Sequence, residues 1–295
     1  MAAPLIFINR SDRLHRSSNR HILHYVQATV SSLSVRKEAQ VGPLRRALNT
    51  FSDRLEFVVI PDITKPGAFD AALEGADYVI HVASPLPKPN EDLLTPAVKG
   101  TTGLLGSALR VSSIKKVVVT AGHCKREAAL RRFDNSLLTQ PWRTVPKASK
   151  IASYLATLDF VETKKPQFSV VTLRPVYIFG RNLLQTSADE LTGTNGGVHV
   201  DDVAEAHIRA LTLPDAQVSS FPLAGKDGRW EEVLEFANKK FPRAGFTAKP
   251  KPGDGMSVDT GLAEAQLGFS SWKEMEVQVS DVVEQQLDFR GTKKA

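Results

Sequence analysis

Several side chains in this sequence have the type and setting to do chemistry. Lys150, in the run Lys147-Ala148-Ser149-Lys150, can lose its proton and attack a carbonyl if it is partly withdrawn from water, or keep the proton and polarise one. Pointed at solvent it does neither. His123 titrates near neutrality and can serve as acid, base or donor, or decorate a surface loop beside Lys125 and Arg126. Tyr177 offers a phenol two residues after Pro175, and competes with a packing role there. Cys124 is the single cysteine, and its neighbour His123 faces the other way on an extended chain, so a thiol nucleophile is not expected. His199, Asp201 and Asp202 lie close together, but acids that begin a helix are caps and no second histidine cluster has ligand spacing, so no metal is expected.

Arg10, Arg13 and Arg16 stand three apart, directly after the apolar run Leu5 to Ile8. An apolar strand running into a turn is how a dinucleotide-binding unit begins, and such units place glycines at this spacing. Glycine lets the backbone turn tightly, approach a pyrophosphate and admit the following helix. Arginine side chains fill that volume, and a positive charge at a helix N-terminus costs roughly 0.3–1 kcal/mol. The expectation is a site that uses no nicotinamide cofactor, with the three guanidiniums solvated or gripping another ligand's carboxylate or phosphate. Arg36, after a strand at Ser31 to Val35, stands where a 2′-phosphate is received, so NADP is the alternative.

These groups need a scaffold, and the apolar runs describe one. Leu5 to Ile8, Ser31 to Val35, Leu55 to Ile60, Tyr78 to Val82, Lys116 to Thr120 and Ser169 to Leu173 read as strands. Between them, helical spacing appears at His21 to Gln27, Ala68 to Leu73, Asp92 to Val111 and Pro146 to Glu162. Asp201 or Asp202 is expected to cap a helix through Leu211, and a last helix runs from about Met275 to Leu287. Residues 178–197 read as a loop with a short helix at Ala188 to Leu191, before a brief extended piece at Val198 to Val200. Near-continuous apolar strands alternating with helices predict an α/β fold: a doubly wound parallel sheet, Rossmann-like, with a smaller C-terminal mixed α/β lobe. The expected division is 1–176 with 198–212 as the core, and 177–197 with 213–295 as the substrate lobe.

Composition narrows the partners. The chain has 295 residues, 42% apolar and 24% charged, as in ordinary globular proteins, and can bury about 75% of its unfolded surface. The net charge of +6 and pI near 9.4 come from dispersed basic residues without interleaved aromatics, so nucleic acid is not expected. No apolar run reaches the roughly 18 residues of a membrane span, and there is no signal-peptide pattern. One cysteine excludes an internal disulfide, and a cytoplasmic location is expected.

Taken together, Arg54-Leu55-Glu56-Phe57-Val58-Val59-Ile60-Pro61-Asp62-Ile63-Thr64, His81-Val82-Ala83-Ser84-Pro85, Lys147 to Lys150, Leu173-Arg174-Pro175 and Val198-His199-Val200-Asp201-Asp202-Val203-Ala204 resemble the extended short-chain dehydrogenase/reductases. Within them the likeness is to the dihydroflavonol-reductase and cinnamoyl-CoA-reductase branch and its fungal secondary-metabolism members. The resemblance implies an NADP-dependent carbonyl reductase in which a Tyr-x-x-x-Lys tyrosine moves the proton, the lysine holds the ribose and a serine polarises the carbonyl. Lys150 matches the lysine. The tyrosine position is Pro146, and the hydroxyls expected after Thr120 are replaced by Ala121-Gly122. Arg10, Arg13, Arg16, Arg36 and Asp62 mark the remnant cofactor positions, and Ser84, Thr120, Tyr154 and His199 the expected substrate contacts. The segments between Thr120 and Pro146 and around Thr194 to Gly197 are shorter than in relatives. A monomer, or a homodimer through the helices near Thr101 and Lys150, is implied.

The expected function is therefore a cofactor-independent cyclase, isomerase or lyase on a former reductase scaffold, including a Diels-Alder-type cycloaddition, acting on a small natural-product intermediate with Lys150, His123 and Tyr177 as catalytic groups. The alternatives are an NADP-dependent carbonyl reductase with atypical cofactor binding and a non-catalytic binding or regulatory protein.

Overall fold

The structure, a computed structural model, describes residues 4–9, 29–83, 92–122, 145–181, 197–226, 229–246 and 257–291. Nine strands are present among them: β1 (Leu5–Asn9), β2 (Val30–Val35), β3 (Leu55–Val59), β4 (Tyr78–His81), β5 (Lys116–Thr120), β6 (Ser169–Pro175), β7 (Ile178–Phe179), β8 (Val198–His199) and β9 (Val218–Leu223). Seven form one parallel sheet in the order β3-β2-β1-β4-β5-β6-β9, and β7 pairs with β8 beside it. The doubly wound parallel α/β fold expected from the strand pattern is the one observed.

Successive strand residues point to opposite faces, which is how one sheet feeds two cores. Ile6, Ile8, Leu33, Val118 and Val171 pack under α1 (Val41–Ala47) with Val203 and Ala206 of a later helix. Phe7, Val79, Val117, Val119 and Val170 turn the other way, toward α2 (Leu94–Ala108) and α3 (Val145–Lys164), where Leu104, Leu105, Phe160 and Val161 close the layer. β5 is buried at every position, including Lys116 and Thr120. That burial explains its apolar, β-branched centre.

The chain continues with α4 (Val200–Leu211), α5 (Trp230–Lys240), α6 (Gly261–Leu267) and α7 (Met275–Phe289). α4 is capped by His199, whose side chain accepts from the Asp201 amide; Asp201 and Asp202 occupy the first turn and complement the helix dipole without capping it. α6 ends at Gly268, in the left-handed conformation that glycine adopts without strain. The expected helix at Ala68 to Leu73 is a 3-10 turn at Ala71–Leu73. Residues 218–223, assigned to the lobe on sequence, extend the main sheet beside β6 because their alternating burial fits an edge position. The expected helices at His21 to Gln27 and Ala188 to Leu191, and both shortened segments, lie largely or wholly outside the described residues. No described helix is long and apolar enough to cross a membrane.

Candidate active site

Strand order reverses at β1, which is followed outward by β2 and β3 on one side and by β4, β5 and β6 on the other. In open α/β sheets the ligand crevice lies outside the carboxyl ends of the strands at such a switch point. The groups at that edge are Asn9, Arg36, Asp62, His81, and the segment Thr120-Ala121-Gly122.

A buried polar chain runs beneath this edge. Ser34 Oγ donates to Asn9 Oδ1 (2.8 Å), Asn9 Nδ2 donates to His81 Nδ1 (2.9 Å), His81 Nε2 donates to Thr101 Oγ1 (3.1 Å), and Thr101 donates to the Ala97 carbonyl (2.9 Å). The directions follow from the ends: the Asn9 amide nitrogen can only donate and Thr101 is already committed to a carbonyl, which assigns the histidine tautomer. Burial, and then the nearby Lys150 charge, pulls His81 down to about 3, so the ring is neutral.

Lys150 projects from α3 and donates through Nζ to the Thr120 carbonyl at 3.0 Å. Burial lowers it from the ordinary lysine value to about 8. The approach is close enough that a Cβ added at Gly122 would stand 2.5 Å from the Lys150 Cβ. A serine at this position has no room without moving α3, which accounts for a glycine where the resemblance calls for a hydroxyl. The Thr120 side chain turns the other way and donates to His207 Nε2 at 2.7 Å, while His207 Nδ1 donates to the Val203 carbonyl at 2.7 Å. Desolvation outweighs that backbone bond and takes His207 down to about 4.

At the far side of the crevice, the Asp62 carboxylate accepts from the Thr64 hydroxyl (2.7 Å) and amide (2.9 Å). These bonds, with smaller contributions from Lys65 and Arg36, hold it below the usual carboxylate range. Arg36 and Lys37 leave β2 exposed, their amides both bound by Gln40 Oε1.

Two of the residues expected as substrate contacts are buried. Tyr154 is in the core: its hydroxyl accepts from Ser220 Oγ at 3.2 Å and the Arg174 guanidinium sits 5.1 Å from its ring centroid. His199 is buried as the cap of α4 and bonds Asp281 of α7 at 3.2 Å through Nε2, so it ties the lobe together. Both are buried because a helix or strand end near the sheet edge still has an inward face. Tyr177 is 58% exposed, with its carbonyl taken by the Val198 amide. Ser84, His123, Cys124, Arg10, Arg13 and Arg16 lie outside the described residues. Among the described residues no group of three or more His, Cys, Asp or Glu could hold a metal ion. His207 escaped the sequence reading; its only signal was a histidine on the apolar face shared with Val203, Ala206 and Ala210.

No family model matches the chain. The ketoreductase sphI of Aspergillus fumigatus is 35% identical over 98% of this chain and 99% of its own length. The NAD-dependent epimerase/dehydratase ALT6 of Alternaria alternata is 28% identical over 68% of this chain and 71% of its own. Among solved structures, Gre2 of Candida albicans in complex with NADPH superposes with a TM-score of 0.81 at 23% identity, covering 97% of this chain and 99% of that one. These findings overturn the expectation of no cofactor. That expectation rested on the arginines of the first turn together with Pro146 and Ala121-Gly122, whereas a nicotinamide nucleotide is also held at its adenosine and ribose ends, and Arg36, Asp62 and Lys150 stand at that edge of the sheet.

Proposed function

We propose, from the premise that this chain belongs to the extended short-chain dehydrogenase/reductases, that it is an NADP-dependent carbonyl reductase acting on a small natural-product ketone. The reading is supported by end-to-end likeness to a ketoreductase, and the observation that carries it is Lys150. This lysine is held against Thr120 at the carboxyl end of β5, in the crevice where the strand order reverses.

The residues present fit the nucleotide in part. Arg36 and Lys37, exposed at the end of β2, suit a 2′-phosphate, and Asp62 is oriented by Thr64 at the next strand end. Lys150 suits the ribose hydroxyls next to the reacting carbonyl. When bound, the reduced nicotinamide supplies the hydride. The proton for the resulting alkoxide needs another source, because Pro146 has none and Ala121-Gly122 carry no hydroxyl. Lys150, with a pKa near 8, is mostly charged at neutrality yet releases a proton readily, which suits a general acid. His81 and His207, neutral at this pH, do not compete for that role.

The test is titration with NADPH and NADH followed by fluorescence or heat, together with NADPH consumption against a panel of ketones. Micromolar NADPH binding with turnover is expected; no binding of either nucleotide at millimolar concentration overturns the reading. A second reading, redirection to cyclisation, isomerisation or elimination, draws support from the same missing hydroxyls. It is separated by product analysis, since its product has the mass of its substrate or differs from it by the eliminated group, never by two hydrogens.

A further inference from the structure

We propose that Lys150, besides serving hydride transfer, captures aldehydes and unhindered ketones covalently as an imine. The lysine stem is packed by the backbone at Gly122, where no side chain fits, and Nζ is anchored, among the described residues, by one donated bond to the Thr120 carbonyl. A carbonyl oxygen accepts only from a proton, so this bond leaves the nitrogen's remaining valence directed away from Thr120. The amine lies at the carboxyl end of β5, on the edge of the sheet outside which ligands of open α/β folds bind.

Burial makes the neutral amine accessible. From β4 it meets His81 and from α4 His207, both neutral rings within electrostatic reach of its charge. Burial is what lowers its pKa, and no described carboxylate offsets it. At Pro146, the residue one helical turn earlier, there is no acidic hydroxyl to return a proton to it. A lysine desolvated by burial is a recognised way to obtain an amine nucleophile near neutral pH.

The chemistry balances without an added oxidant or reductant. The Nζ lone pair attacks the carbonyl carbon and the carbon–oxygen π pair moves to oxygen. Proton transfer from nitrogen to oxygen gives a carbinolamine, and loss of water gives the imine. Where the carbonyl compound has an adjacent carbon–hydrogen bond, the imine acidifies it, so that isomerisation or elimination at that carbon becomes accessible on the same residue.

The test uses the whole chain without nucleotide, so its failure is separable from any failure of cofactor binding. The protein is incubated with propionaldehyde and sodium cyanoborohydride across pH 6–10, then digested and mapped by mass spectrometry. Expected is propylation concentrated on the peptide carrying Lys150, with a rate that rises with pH and a midpoint near 8, against about 10.4 for ordinary lysines. Lys150→Arg, checked for folding by circular dichroism, removes that label and leaves the surface labelling unchanged. Labelling spread over surface lysines with Lys150 untouched overturns the proposal, as does a Lys150 midpoint at the ordinary value. Because the labelled site is mapped in the unsubstituted protein, the result stands even if the variant fails to fold.

Discussion

Thr120 donates its hydroxyl to His207 Nε2 at 2.7 Å while its carbonyl takes the Lys150 ammonium at 3.0 Å, so one residue at the end of β5 joins a buried histidine to the candidate catalytic amine. His207 must stay neutral for the first bond to hold. Its pKa is depressed to about 4, and that of His81 to about 3. The unfolded chain therefore takes up these protons first. Stability from both is complete above the unfolded value near 6.5 and is lost as pH falls toward 4 and 3. Urea unfolding at pH 7 and pH 5 is expected to differ by about 2 kcal/mol per histidine, and His207→Gln to remove about half of the difference. An equal difference in that variant contradicts the assignment.

Gly122 faces Lys150 at a separation that excludes a Cβ. Gly122→Ala and Gly122→Ser are each expected to lower stability by about 1–3 kcal/mol, the usual cost of overpacking, measured as the shift of the denaturation midpoint. Gly122→Ser is expected to gain no reductase activity, although it restores a hydroxyl. A variant as stable as the parent shows that α3 yields freely there.

Lys150→Met is expected to lower turnover by about 10²–10⁴, the range for a lost general acid, with circular dichroism unchanged. In the parent, turnover should fall as pH rises through about 8, because the charged amine is the proton source. A flat profile from pH 6 to 10 removes Lys150 from that role.

Arg36→Ala is expected to weaken NADPH binding about tenfold to a hundredfold, as for loss of a hydrogen bond to a charged group, and to leave NADH unaffected. Calorimetry with both nucleotides decides it. Equal losses place the arginine away from the 2′-phosphate.

Arg10, Arg13 and Arg16 occupy glycine spacing, and the genetic code suggests how. The arginine triplet CGG read one nucleotide on begins GG, which specifies glycine whatever follows. The run from Asn9 to Arg16, shifted in this way, can encode Thr-Gly-Ala-Thr-Gly-Phe-Ile-Gly. All three codons are expected to be CGG or AGG, the arginine triplets that end in GG; an AGA, CGA, CGC or CGT triplet at any of them excludes a shifted frame. The combined change Arg10→Gly, Arg13→Gly and Arg16→Gly should then tighten NADPH binding about tenfold or more, the order of one recovered bond to a charged phosphate.

Runs of buried β-branched residues made the strands legible: Lys116 to Thr120 is a strand over the whole expected span, the strand at Ser31 to Val35 begins one residue earlier at Val30, and that at Leu55 to Ile60 ends one residue earlier at Val59. The place of Val218–Leu223 in the main sheet was not legible, because this edge strand carries serines and a proline in place of a continuous apolar run and was assigned to the smaller lobe. Lys150 was legible through the resemblance, as the match to the motif lysine. The lack of room at Gly122 and the coupling of His207 through Thr120 depend on distances between segments far apart in sequence. The burial of Tyr154 and His199 was not legible because spacing gives a helix face but not what covers it.

The position of β1 has a consequence for synthesis on the ribosome. Its Leu5 amide bonds the Asp77 carboxylate 72 residues later, at the head of the strand that becomes its second neighbour. At about 5–20 residues per second, that partner is made roughly 4–14 s after β1. Through that interval the future centre of the sheet has an unpaired, apolar edge. The nascent chain is therefore most prone to associate with another copy before Tyr78–His81 leaves the exit tunnel, and a chaperone that holds the first strand would act in that window.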